Sequence, residues 1–279
     1  MSRVSMARIG IVGYGRVGQA MEAFFGRRYE VTIYDPPKGH SSRNDINECA
    51  MVAVCVPTPM RPDGSCDTSI AEEAVGWIGA DTILIRSTIP VGTTDRLKAE
   101  TGKSIVFSPE YVGEPHYWVP YGFMRDEIEC PFYIFGGDAA DCERVIDLYA
   151  PIAGPMKQYR VTSASVAEAV KAFENEFIAW KVMFANEMRE ACAAWGVPYW
   201  ETRDLWTLDP RVGPMHTASW GNSRGFFGKC LPKDTLSLLR SLEHAGYDKR
   251  VLRAIVSKNI EYRGEQDYPA DLDVETPER

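Results

Sequence analysis

Arg8-Ile9-Gly10-Ile11-Val12-Gly13-Tyr14-Gly15-Arg16-Val17-Gly18 is the stretch whose reading decides the fold. A short β-rich run, Arg8–Gly13, meets a Gly-x-Gly-x-x-Gly turn, and a helical pattern over Val17–Phe25 begins inside that turn. A strand, a glycine turn and a helix in this order open a dinucleotide-binding βαβ unit. One glycine permits the tight turn, one lets the backbone approach a pyrophosphate, and one allows close helix–strand packing. Gly13, Gly15 and Gly18, with Arg16 and Val17 between the last two, are therefore candidate cofactor contacts, and the helix N-terminus supplies N–H donors to phosphates. A second strand, Glu30–Tyr34, ends at Asp35, 22 residues after Gly13. A carboxylate there accepts hydrogen bonds from a ribose and repels a 2′-phosphate, which favours NAD over NADP. The alternative is a glycine-rich turn in an unrelated α/β domain.

Working outward, further strands are expected at Met51–Val56, Thr82–Ser87, Ser104–Ser108 and Phe132–Gly136, with helical patterns at Thr68–Gly79 and Ala139–Tyr149. Apolar strands alternating with helices imply an α/β fold, a Rossmann-type doubly wound parallel sheet covered on both faces. The character changes after about Val161. Ser163 to Trp195 contains no Gly or Pro and reads as one long helix with apolar residues on nearly every side, so burial between partners is expected. Two more helices are expected at Leu236–Ala245 and Lys249–Arg263. The expected organisation is thus a cofactor domain over 1–161, an all-helical domain over 162–264 built on the long helix, and a flexible acidic tail over 265–279.

The chain has 279 residues, long enough to bury a sizeable core without disulfides. Lys plus Arg is 31 against 39 Asp plus Glu, a net charge of -8 that disfavours nucleic acid and anionic membranes as partners. The longest apolar run, Met51–Val56, is far short of the ~18 residues that span a bilayer. Seven cysteines carry no C-x-x-C pair and no histidine cluster, so neither a metal site nor a disulfide framework is expected, and a reducing cytoplasm is the natural setting.

Three loops follow the carboxyl ends of strands, where open parallel sheets bind ligands. They are Val56-Pro57-Thr58-Pro59, Ser87-Thr88-Ile89-Pro90-Val91-Gly92-Thr93-Thr94 and Ser108-Pro109-Glu110-Tyr111-Val112-Gly113-Glu114. Each alone reads equally as a Pro-rich solvated loop. On the long helix, Glu168, Lys171 and Asn175 share one face. They form either a solvated stripe or a site in which a lysine and an asparagine stabilise an oxyanion. Gly228-Lys229-Cys230-Leu231-Pro232-Lys233-Asp234 sets a cysteine between two lysines, which favours its thiolate. From Arg211 to Lys233 there are four basic residues (Arg211, Arg224, Lys229 and Lys233) and no acid, a local charge inversion that suits a phosphate-bearing substrate. The alternative is a positively charged surface loop.

Five ordered blocks, the glycine fingerprint, VPTP, STIPVGTT, SPEYVGE and GKCLPKD, with AEAVKAFENEF on the helix between the last two, resemble the UDP-glucose/GDP-mannose dehydrogenases from about Ala7 to Arg263. The resemblance implies two successive NAD-dependent oxidations of a nucleotide sugar from alcohol to acid. It implies that Cys230 attacks the bound aldehyde, giving a thiohemiacetal and then a thioester that water hydrolyses. Lys171 and Asn175 would stabilise oxygen charge, Glu110 and Glu114 would be the acidic pair near the sugar with Glu110 as base, and Thr88 and Asp234 would position water. Val56, Pro57, Thr58, Ser87, Thr88 and Glu114 would join the cofactor contacts. Arg211, Arg224, Gly228, Lys229 and Lys233 would contact substrate, Arg211 that of the neighbouring subunit in a homodimer packed through the long helix. Departures are Gly113 in place of a frequent arginine, and Phe227 and Lys229 ahead of Cys230. The family's third, nucleotide-binding domain is without a counterpart, so a short form is expected. Two other readings stay open: a one-step β-hydroxyacid-type dehydrogenase, which has no use for Cys230, and a non-catalytic NAD-binding subunit.

Overall fold

The structure, a computed structural model, describes residues 7–113, 122–264 and 267–268. Contacts divide the chain into two compact units, the first holding residues up to Pro59 together with Asp67–Lys171, and the second Met60–Cys66 together with the chain from Ala172. The division falls inside the long helix, ten residues past the boundary expected from composition.

The first unit is the expected α/β layer. Strands β1 (Arg8–Val12), β2 (Glu30–Tyr34), β3 (Met51–Val54), β4 (Ile83–Ile85), β5 (Ile105–Phe107), β6 (Phe132–Gly136) and β7 (Gln158–Thr162) form one sheet in the order β2-β1-β3-β4-β5-β6-β7. Its helices are α1 (Arg16–Phe25), α2 (Arg43–Asn47), α3 (Ser69–Trp77), α4 (Thr93–Thr101), α5 (Ala139–Ala153) and the start of α6 (Ala164–Trp195). The strands alternate faces with period two. Ile9, Ile11, Met51, Ala53, Leu84 and Val106 meet Met21, Phe24 and Phe25 of α1 and Val145 and Tyr149 of α5. Val52, Val54, Ile83, Ile85, Ile105 and Phe107 meet Ile46 of α2, Ala74 and Val75 of α3 and Leu97 of α4. Both faces are covered, as a doubly wound sheet requires.

One pairing departs from the all-parallel expectation: β5 and β6 are antiparallel, Phe107 opposite Gly136, while β6 and β7 are again parallel. An antiparallel neighbour needs no crossover helix on the sheet's face, and among the described residues only short 3₁₀ turns lie between these two strands. At the end of β6, Gly136 leaves no room for a side chain, because a Cβ would stand 2.5 Å from the Ala167 Cβ and 2.8 Å from the Ser163 carbonyl oxygen. That contact seats the start of α6 on the sheet.

Glu168, expected on a face with Lys171 and Asn175, serves the first unit as a helix cap. Its side chain is buried, and its carboxylate accepts the Gly92 N–H at 2.6 Å, the Thr94 N–H at 2.8 Å and the Thr94 hydroxyl at 2.6 Å. Gly92 has φ +90 and no side chain of its own with which to cap α4, so Glu168 supplies the acceptor from elsewhere in the chain. Burial raises this carboxyl above its usual range, against the three donors that lower it.

The second unit is helical. Beyond the remainder of α6 it contains α7 (Tyr199–Trp206), α8 (Leu231–His244) and α9 (Arg250–Arg263). Leu236 and Leu239 of α8 pack with Leu252 and Val256 of α9, Met60 of the short hairpin and Tyr268. Asp267 and Tyr268, two residues of the stretch expected as a tail, are held there: Asp267 pairs with Arg263 at 2.6 Å, and Tyr268 is buried. The rest of 265–279 lies outside the described residues.

Removing the cap should be felt by the first unit. Glu168→Ala is expected to lower the unfolding free energy of that unit by about 2–3 kcal/mol, and Glu168→Gln by less, because a charge-assisted acceptor of three bonds is lost or weakened. Urea unfolding followed by circular dichroism measures both.

Candidate active site

The cofactor end is built by steric exclusion. Gly13 has φ +91, and a Cβ there would stand 2.7 Å from the Cys55 carbonyl oxygen and 2.9 Å from the Val56 nitrogen. A Cβ on Gly18 would stand 2.1 Å from the Gly13 carbonyl oxygen. These two absences let the loop after β1 lie against the loop after β3 at the place where the strand order reverses, the crevice in which such sheets bind nucleotides. Gly15, at the N-cap of α1, has open space where a side chain would begin. No side chain caps that helix end and no acid lies in its first turn, so its N–H groups and positive dipole end suit a pyrophosphate. Asp35 stands just past β2, one carboxylate oxygen accepting the Tyr14 N–H at 2.7 Å, and Lys38 reaches the Tyr14 carbonyl. Open glycine, uncapped helix and ribose-side acid fit a dinucleotide.

Three loops of the same unit are tied together at the carboxyl ends of the strands. The Thr58 hydroxyl donates to the Thr88 carbonyl at 2.8 Å, and the Ser87 hydroxyl to the Val56 carbonyl at 2.7 Å. In the third loop, Glu110 is buried. Its carboxylate takes the Arg86 guanidinium at 2.8 Å on one oxygen and the Val112 N–H on the other. Its main-chain carbonyl accepts from Lys171 Nζ at 2.6 Å, and that ammonium also stands 5.6 Å from the Tyr111 ring centre. Glu114, expected beside it, lies outside the described residues.

Arg86 and Glu127 are absent from the sequence-based site. Arg86 is 2% exposed, and besides Glu110 it donates to Ser108 Oγ at 2.8 Å and Glu127 Oε2 at 3.1 Å. Burial pushes the Glu127 carboxyl up to about 7, Arg86 pulling it down while Glu110 and Asp126 add to the rise. The available signal was a single cation inside the apolar run Thr82–Ser87; Glu127, in a loop with no motif, carried none.

The second unit holds the thiol. Cys230 is the exposed member of seven free cysteines, the other six being buried, and it occupies the N-cap of α8 with Pro232 in the first turn. Asp234 is buried, and its carboxylate is held on both oxygens, by Asn175 Nδ2 at 2.6 Å and by the Lys233 ammonium. Burial works to lower the Lys233 ammonium, but the Asp234 carboxylate, with the Cys66 and Cys230 thiols adding to it, leaves it above its ordinary value. The loop ahead of the cysteine is clamped by buried Asn259, which accepts the Phe226 N–H at 2.8 Å and donates to the Phe226 carbonyl at 3.0 Å. Gly225, at φ +75, makes room, since a Cβ would stand 2.2 Å from Asn259 Oδ1. Asn259, which also donates to the Tyr268 hydroxyl at 2.6 Å, was not singled out in the sequence because none of its partners lies in a motif.

The other expected substrate contacts differ in their surroundings. Gly228 and Lys229 are exposed, Gly228 at φ +93. Arg211 is 88% exposed at its side chain and paired with Asp209. Arg224 is engaged in packing the unit: it donates to Asn186 Oδ1 at 2.7 Å and Glu190 at 2.9 Å, and its guanidinium lies 4.8 Å from the Tyr262 ring centre. Among the described residues no cluster of three or more His, Cys, Asp or Glu could hold a metal, and no helix is long and apolar enough to cross a membrane.

The domain profiles of one family match both units, its NAD-binding domain over residues 38–153 and its central domain over 165–261. The chain belongs to the UDP-glucose/GDP-mannose dehydrogenase family. The first unit is thus the family's NAD-binding domain, and NAD is its cofactor. The UDP-glucose 6-dehydrogenase of Pseudomonas aeruginosa is 28% identical over 304 aligned positions, covering 90% of this chain and 65% of that enzyme. The chain spans about half to two thirds of the curated relatives it matches. A UDP-glucose dehydrogenase from Pyrobaculum islandicum superposes with a TM-score of 0.77 at 25% identity, over 94% of this chain and 70% of that one. A 3-hydroxyisobutyrate dehydrogenase from Mycobacterium tuberculosis shares the fold alone, with a TM-score of 0.65 at 19% identity, over 96% of this chain and 97% of that one.

Glu127 gives the first unit a pH-dependent stability with a definite sign. Its carboxyl sits at about 7 folded against about 4.5 in an open chain, so its contribution is complete below about 4.5 and is lost as the pH rises through 7. Between about pH 5 and 8 the wild-type Tm should therefore fall more steeply than that of Glu127→Gln, a comparison that cancels the other buried carboxyl raised to about 7, Glu176. Equal slopes in differential scanning fluorimetry would contradict it.

Proposed function

We propose that the chain catalyses the NAD-dependent oxidation of a nucleotide sugar at C6, from alcohol to uronic acid, with UDP-glucose or a close relative as substrate. The observation that carries this reading is the exposed Cys230 thiol at the head of α8, in a unit where Lys233 and Asn175 hold the neighbouring Asp234 carboxylate. A one-step oxidation of an alcohol has no use for such a thiol. A four-electron oxidation does, because the aldehyde must be held covalently between its two halves.

Gly13, Gly15, Gly18, the α1 N-terminus and Asp35 would hold NAD, which would supply hydride acceptance. Cys230 adds to the aldehyde, aided by the helix N-terminus and by the ammonium groups of Lys229 and Lys233, all of which favour a thiolate. Lys171 and Asn175, one turn apart on α6, stabilise the oxygen that gains charge at each stage. Asp234, its carboxylate held by Asn175 and Lys233, and Thr88 position the water that releases the acid. Glu110 contributes its carbonyl, which holds Lys171, and its carboxylate is committed to Arg86. Gly228, Lys229 and Lys233 face the substrate phosphates, and Arg211 reaches the substrate of a second copy.

A second copy is the other part of this proposal. Phe173, Phe177, Trp180 and Phe184 recur at intervals of four, three and four along α6, and all are exposed, Phe177 at 65%. An apolar stripe of this length on one helical face suits a homodimer built along that helix.

Two experiments test these statements. With limiting UDP-glucose, and then a panel of UDP- and GDP-sugars, about two NADH per sugar and an acid product are expected, and Cys230→Ala should abolish acid formation. One NADH with a carbonyl product would replace the proposal with a one-step dehydrogenase. No NADH from any sugar, with NAD still bound, would replace it with a binding subunit. Light scattering should give twice the chain mass, and Phe177→Glu with Phe184→Glu should give a monomer, since each buries a charge in the interface at a cost of about several kcal/mol.

A further inference from the structure

Arg86 directly follows β4 and carries a full charge into the core of the first unit, 2% exposed between Ser108, Glu110 and Glu127. A buried ion pair is a weak source of stability, and packed apolar side chains of similar volume serve as well or better. What such a cluster does supply is a fixed position for the groups it binds, because a guanidinium offers its donors in a rigid plane.

Here the position is passed along a traceable path. The guanidinium holds one oxygen of the Glu110 carboxylate, and the other oxygen accepts the Val112 N–H, which closes the turn 110–112 on itself. With that turn closed, the Glu110 carbonyl accepts from Lys171 Nζ at 2.6 Å and the Tyr111 ring stands 5.6 Å from the same ammonium. Tyr111 is backed in turn by Phe132, with ring centres 5.3 Å apart. The Arg86 Nη2 that holds Glu110 also donates to Glu127, which is itself anchored, since its main-chain carbonyl accepts from the Tyr133 hydroxyl at 2.8 Å. We infer that Arg86, with Glu127 as its second anchor, is a positioning residue that fixes the Lys171 ammonium through Glu110. The kinetic part of the inference rests on the dehydrogenase reading, whereas the positioning of Lys171 does not.

The test uses the full chain as wild type, Arg86→Lys, Glu127→Ala and Glu127→Gln, with two readouts. The first is competitive acetylation of Lys171 by acetic anhydride, scored by peptide mass spectrometry against exposed Lys229 and needing no substrate. The second is kcat and KM for whichever sugar nucleotide the wild type oxidises. Arg86→Lys keeps the charge and loses the fork, so Lys171 should label about tenfold faster, the ratio expected when one hydrogen bond's worth of order is lost. Its kcat should fall about a hundredfold while KM moves less than about threefold, the pattern of a misplaced group that acts in the transition state. Glu127→Ala should change both readouts in the same direction, and Glu127→Gln, which keeps the acceptor, should restore them. If Arg86→Lys does not fold, the Glu127 pair carries the test. Unchanged Lys171 labelling in folded variants, judged by circular dichroism and NAD affinity, would overturn the inference and leave the dehydrogenase reading standing. The expected labelling pattern with a wild type silent on every sugar nucleotide would do the reverse.

Discussion

The first unit depends on a close approach between two stretches of backbone, which is possible only because Gly13 has no side chain. With the Cys55 carbonyl oxygen 2.7 Å from where a Cβ would be, the loop after β1 and the loop after β3 are in contact along their main chains. Cys55 N–H donates to the Val12 carbonyl at 2.7 Å, continuing the pairing of the two strands to their very ends. The start of α1, the crevice for a dinucleotide and the Val56-Pro57-Thr58 loop all take their places from this contact. Gly18 repeats the constraint one turn into the helix. Any larger residue at either point would push the phosphate-binding turn away from the sheet, and the loops tied on by Thr58 and Ser87 would follow it.

A second organising feature is charge placed where water is scarce. Arg86, Glu110 and Glu127 put one guanidinium and two carboxyls in the first unit's interior. Three ionised groups would leave a net negative charge there, and burial, with Glu110 adding to it, raises the Glu127 carboxyl. In the second unit Asp234 is balanced by Lys233 on one side and an amide on the other. Each carboxylate is thereby kept in one orientation.

Most of the fold was legible because strong signals coincide: the glycine turn after a strand, the apolar runs, and a stretch without Gly or Pro that is α6. What escaped was weakly patterned. Strand β7, Gln-Tyr-Arg-Val-Thr, lies at the sheet edge with much of its surface exposed, so it lacks the apolar run of the inner strands. Helix α4, Thr-Thr-Asp-Arg-Leu-Lys-Ala-Glu-Thr, is polar and is held by Glu168 from 74 residues away, which no local reading can see. The site divides in the same manner. Residues inside short motifs, such as Asp35, Thr58 and Cys230, were picked out by spacing. Arg86, Glu127 and Asn259 act on carboxylates and backbone far from them in sequence, and only the fold brings those partners together.

The hairpin Met60–Cys66 is covalently flanked by first-unit residues, yet its contacts are with the second: Met60 packs with Leu236 and Leu239, and the Asp63 carbonyl accepts from Arg240 at 2.6 Å. The polypeptide therefore crosses between the units three times rather than once. Neither unit can be released by a single proteolytic cut or expressed as an uninterrupted gene fragment that keeps its own contacts. A fragment ending at Lys171 would carry an orphaned hairpin, and one starting at Ala172 would lack the piece that covers α8. Unfolding of the second unit therefore also frees a segment that both chain neighbours tether to the first.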